Sequence, residues 1–136
     1  MVNGINIDVA WVQAQFAELS NIAVLSGGGQ KLVFAATHST DGDVVLKLIH
    51  PSQSHETVER EILAVQVIRS PRVPRILGQG RIALPVGELV WLREQRIFGQ
   101  TVREALRAGP LQKRRLLRLG LHVLEALAEA KSCIEM

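Results

Sequence analysis

Two charged side chains and a run of glycines carry the chemistry this sequence offers. Gly27-Gly28-Gly29 interrupts an apolar stretch, and consecutive glycines permit backbone angles that other residues resist. A loop of that kind can turn several N–H groups toward one anion. Lys47 closes the apolar segment Val44-Val45-Leu46-Lys47, and an ammonium is a compact point charge with three donors. Glu61 lies in Arg60-Glu61-Ile62-Leu63-Ala64-Val65, where Ile62 beside it and Val65 one turn on place it at the border of an apolar helical face. Each feature also has a plainer reading when taken alone: an ordinary glycine-rich hairpin, a surface lysine, a solvated helix charge. Glu59 competes with Glu61 but lies about 200° round the helix. His38, His50, His55 and His122 are scattered, and no Cys/His spacing suggests a metal site.

These groups need elements to position them. Asp8 is a candidate cap for a short helix reaching about Leu19, with Val9, Val12, Phe16 and Ala17 on one side. Residues 22–26 and 32–36 read as two strands around the glycine turn, and 44–49 as a third after the turn at 40–43. A helix is expected over 55–68, with Ile62, Val65 and Ile68 sharing its buried face, ended by Pro71 and Pro74. Two further strands are expected at 75–84 and 88–94. Gln95 to Gly99 forms a connector, Thr101 caps a short helix through Arg107, and Gly109-Pro110 breaks it. The longest helix spans 111–130. Its apolar residues cover well over half the circumference, which demands burial on several sides.

Composition bounds the answer. The chain has 136 residues, 47% of them hydrophobic, enough for one folded domain with a sizeable core. A net charge of +3 is too modest to indicate nucleic-acid binding. The single cysteine, Cys133, excludes an intramolecular disulfide framework and suits a reducing cytoplasm. No signal peptide and no membrane-length apolar run is present, so a cytoplasmic location is expected.

In order and spacing, the segments from Ile22 to Met136 resemble the bacterial Ser/Thr protein kinases of the eukaryotic-like type. In the best register of that family's G-x-G-x-x-G-x-V loop, Ser26 replaces the first glycine and Gly28 keeps the second. Lys31 replaces the third, and Val33 keeps the valine. Gly27 and Gly29 would preserve flexibility. Val44-Val45-Leu46-Lys47 matches V-A-I-K. The resemblance implies that Lys47 holds the α- and β-phosphates of ATP and pairs with Glu61 of the αC helix. Pro71-Arg72-Val73-Pro74 resembles the turn after αC. Aligning Gly99-Gln100-Thr101-Val102 with the family's G-x-T-L places Glu94 at the gatekeeper position, or Arg93 in a register shifted by one. Gln95, Arg96 and Ile97 would then be the adenine hinge. The implied fold is α+β: a kinase-like small lobe with a five-stranded antiparallel sheet and one αC-like helix, then a hinge and two helices of a truncated large lobe. The implied division is a helical extension at 1–21, the small lobe at 22–94, and hinge plus large-lobe start at 95–136.

The family's H-R-D and D-F-G motifs, which orient the hydroxyl and bind Mg²⁺, do not occur in these residues. The expectation is therefore an ATP-binding small lobe that is inactive alone, with Mg²⁺ bound only if a large lobe is supplied. The second reading is a non-catalytic, pseudokinase-like interaction module. The third is an unrelated small α+β domain that binds nucleic acid. A large-lobe partner or self-association through 111–130 is expected; nucleic acid and membrane are not expected partners.

Overall fold

The computed structural model describes residues 6–27, 31–50, 55–85 and 87–134. Its elements run α1 (Val9–Gln15), β1 (Leu19–Gly27), β2 (Lys31–His38), β3 (Gly42–Ile49), α2 (His55–Val67), β4 (Ile76–Leu84), β5 (Gly87–Gln95), α3 (Val102–Arg107) and α4 (Lys113–Ile134). The architecture is α+β, with one five-stranded antiparallel sheet in the order β1-β2-β3-β5-β4.

The inner strands β2, β3 and β5 carry buried residues on both faces because they alternate two apolar sets. On one face Phe34, Ala36, Val44, Leu46, Leu48 and Leu89 form a core with Val12, Phe16 and Leu19. Phe16 meets Trp91 edge-on, ring centroids 5.3 Å apart. On the other face Val58 and Ile62 of α2 pack on Ile49, Val90 and Leu92. The three side chains expected to bury this helix, Ile62, Val65 and Ile68, are all half-buried, with Ile62 packed on the sheet, while Val58, one turn before Ile62, is the buried anchor.

The N-terminal segment is part of this core and not an appendage to it. Asp8 caps α1 as expected, accepting from the Trp11 N–H at 2.9 Å. The helix ends at Gln15, earlier than expected, and β1 starts at Leu19, inside the residues read as an extension. The pairing of β1 with β2 shifts between Ser20 and Ala23 in a bulge, with Asn21 at φ 51°, a left-handed conformation asparagine tolerates better than most residues.

Gly78 and Gly80 give β4 room beneath its neighbour. A Cβ on Gly80 would lie 2.7 Å from the Trp91 indole, and one on Gly78 would lie 2.9 Å from the Arg93 guanidinium. Beyond the sheet, Thr101 and Glu104 form a reciprocal capping box at the start of α3. Helix α4 is tied to the turn after α2 by polar contacts: Arg72 pairs with Glu125 and with Glu129, and Ser70 donates to Glu129.

Candidate functional site

Cross-strand register decides which side chains share a face. Val33 stands opposite Lys47, and Lys47 opposite Leu92. Ala35 stands opposite Val45, and Val45 opposite Glu94. Val33, Ala35, Val45, Lys47, Leu92 and Glu94 therefore line one face, the one on which α2 is seated. Lys47 and Glu94 are diagonal neighbours, a spacing that long side chains can span.

They do span it. Lys47 Nζ is 2.7 Å from Glu94 Oε2, and their side chains are 34% and 11% exposed. Glu94 is one of two buried polar or charged residues among those described, the other being Ser70. A carboxylate at that depth requires a compensating charge or donor, and Lys47 supplies it. The pair sits on an apolar floor of Val45 and Leu92 and opens at the lysine end.

The pairing expected between Lys47 and Glu61 is not formed. Glu61 Oε2 accepts from Lys31 Nζ at 3.1 Å, with both side chains exposed. The reason is where α2 is anchored. Val58 and Ile62 hold it against Ile49, Val90 and Leu92. Lys31 stands opposite Ile49, so the helix brings Glu61 to Lys31. Glu59, the competing acid, bonds to Arg81 at 3.2 Å. Arg81 also reaches Glu88 at 3.0 Å, and Glu88, then Glu59, hold its guanidinium proton more firmly than usual.

The remaining expected site residues are spread along one route. Gly27 ends β1 opposite Leu32; Gly28 and Gly29 lie outside the described residues. Gln95 is the last residue of β5, its N–H donating to the Arg75 carbonyl at 2.9 Å, which makes it a strand residue and not a free connector. Arg96 stacks its guanidinium 4.6 Å from the Phe98 ring centroid, and Ile97 is exposed. Arg93, the alternative to Glu94, points to the opposite face, where it pairs with Asp41 at 3.0 Å and donates to the Leu77 carbonyl at 3.3 Å. Register thus leaves Glu94, not Arg93, beside Lys47.

Two clefts flank α2. One of about 720 Å³ lies between the end of α2 and β4, with Val65, Ile68, Arg75, Ile76 and Gln95 in its wall. The other, about 650 Å³, lies between the outer side of α2 and β4, with Ile62, Leu63, Gly80 and Val90 in its wall. Neither has Lys47 in its lining. Among the described residues no group of three or more His, Cys, Asp or Glu side chains is placed to hold a metal ion, and no helix is long and apolar enough to cross a membrane. Sequence reasoning missed the Lys47–Glu94 pair. The signal was available in the alternation of β5, which puts Glu94 in step with buried Leu92 and Val90.

Neither a protein-family model nor a curated relative matches the sequence.

Proposed function

We propose that this chain is the ATP-binding small-lobe portion of a Ser/Thr protein kinase, not active in phosphoryl transfer on its own. One observation carries the reading. The antiparallel order β1-β2-β3-β5-β4, with a helix inserted between β3 and β4, puts Lys47 on the same face as Val33 and Val45. The lysine then offers an ammonium to phosphate oxygens, while the small apolar side chains offer a floor for a base. Gln95 ends β5 with its N–H given to the Arg75 carbonyl, and the backbone of Arg96 and Ile97 just beyond it would serve adenine. Transfer needs a group to orient the acceptor hydroxyl and ligands for Mg²⁺. With neither H-R-D nor D-F-G in these residues, Mg²⁺ would be held only with a large lobe present.

Calorimetry with ATP tests the proposal. Weak binding is expected, reduced at least several-fold by Lys47→Met in protein whose circular dichroism is unchanged. Equal affinity in the two proteins overturns the phosphate role of Lys47. The same preparation with Mg-ATP and a generic protein substrate is expected to incorporate no phosphate above background.

A second reading is a non-catalytic, pseudokinase-like interaction module. Leu116, Leu117, Leu121, Val123, Leu124 and Leu127 stand exposed along α4, the kind of apolar patch that marks a protein contact. Unchanged folding without any nucleotide binding, together with stable association, would favour it.

A further inference from the structure

We propose that Glu94 is a specificity determinant of the Lys47 site, an internal anion that phosphate must displace. The inference rests on the nucleotide reading above and sharpens it. The Lys47 ammonium is the cation beside the small apolar side chains Val33 and Val45 on this face, and in the structure it is engaged by Glu94 at 2.7 Å. Lys31, the other lysine on this face, is engaged by Glu61 at 3.1 Å. A phosphate approaching Lys47 meets a resident carboxylate held in place by burial, with Val45 opposite it on one side and Ile76 on the other.

Two consequences follow from charge alone. Like charges a few ångströms apart in a partly desolvated site repel strongly, so every phosphate brought to Lys47 is opposed by Glu94. A ligand without phosphate does not face this opposition. Glu94 therefore lowers the affinity that Lys47 gives the site for polyphosphate and leaves the affinity for a nucleoside comparatively unaffected. Specificity of this kind comes from a built-in repulsive element as much as from an attractive one. Neutralising Glu94 without changing its shape removes the repulsion and loosens the hold on the Lys47 ammonium.

The experiment is calorimetry at fixed ionic strength with three probes, ATP, adenosine and inorganic tripolyphosphate, on wild type and Glu94→Gln. ATP and tripolyphosphate are expected to bind Glu94→Gln about tenfold more tightly, a modest fraction of a full charge–charge term in such a site. Adenosine affinity is expected to be unchanged. Adding Lys47→Met to Glu94→Gln should abolish the gain. Glu18→Gln, a charge change of the same size on an exposed residue outside the sheet, should produce none. Glu94→Met, which fills the same space with no acceptor, serves if the glutamine variant is poorly folded. Equal tripolyphosphate and ATP affinity in wild type and the Glu94 variants overturns the proposal. So does a gain that persists without Lys47. Tighter tripolyphosphate binding with no binding of ATP or adenosine to any variant would instead sustain the role of Glu94 and sink the nucleotide reading.

Discussion

Glycine and tryptophan illustrate how a single residue is constrained by its cross-strand neighbour. Gly80 stands opposite Trp91, Gly78 opposite Arg93. The two close approaches differ in what would have to move. The indole is rigid and already packed edge-on against Phe16, so a methyl 2.7 Å from it forces the ring or the strand aside. The guanidinium is the end of a flexible chain, although bonds to Asp41 and the Leu77 carbonyl hold it. Gly80→Ala is therefore expected to cost about 1–3 kcal/mol, typical of overpacking, and Gly78→Ala less. Urea unfolding measures both, and Gly80→Ala should also shift tryptophan emission. Equal and negligible losses in the two variants would show that β4 yields freely. Glu94 obeys the same logic in electrostatic form: its position opposite Val45 and Ile76 buries it, and burial selects Lys47 as its partner.

At the scale of elements, the caps determine where helices begin. In α3 the Thr101 N–H donates to Glu104 Oε2 at 2.7 Å and the Thr101 hydroxyl donates to the same oxygen at 3.1 Å, while the Glu104 N–H donates to the hydroxyl at 3.2 Å. The bond from the Thr101 backbone, then that from its side chain, hold the Glu104 carboxyl below its ordinary value, with a smaller contribution from Arg107. A carboxyl whose folded value is depressed stabilises the fold above the unfolded value, and that contribution disappears as pH falls through the folded one. The start of α3 should thus loosen only in acid, below the usual glutamate range. Titration of Glu104 by carbon-detected NMR checks this. Thr101→Val removes the hydroxyl bond but keeps the larger backbone one, so the carboxyl should move up only part of the way. A full return to the ordinary value would show that the backbone bond needs the hydroxyl to form.

For the whole molecule, the unsettled balance lies in α4. One side of this helix is tied to the turn after α2 through Arg72 and Ser70. About a third of the way round the helix from that tie, Leu117 and Leu124 are 65% and 66% exposed. Each leucine buried is worth roughly 1.5–3 kcal/mol, so a few shared across an interface offset much of the entropy of association. A species larger than the monomer is expected by light scattering at high micromolar concentration. Leu117→Glu with Leu124→Glu should shift it to monomer while leaving the sheet's circular dichroism intact. A monodisperse wild-type monomer with α4 formed and no partner bound would exclude association through this face.

The sequence by itself determined the order and type of the elements. Alternation in β2, β3 and β5, the prolines after α2, the capping residues Asp8 and Thr101, and the apolar breadth of α4 are local signals, and each was legible. Lys47, Val33, Val45 and Glu94 are singled out through the kinase resemblance, and a strand's period of two accounts for their sharing one face. What only tertiary structure decided was the partnership of charges. Glu61 was legible as a helix residue bordering the packed face, but whether it reaches Lys47 or Lys31 depends on how far α2 slides along the sheet. Val58 and Ile62 set that position against Ile49, Val90 and Leu92, residues drawn from three separate elements. The membership of α1 in the core is of the same kind. Nothing local distinguishes an amphipathic helix that docks on its own sheet from one that does not; the edge of Phe16 against Trp91, far along the sequence, settles it. Ion pairing and packing over such separations follow from the positions of whole elements, which no local pattern encodes.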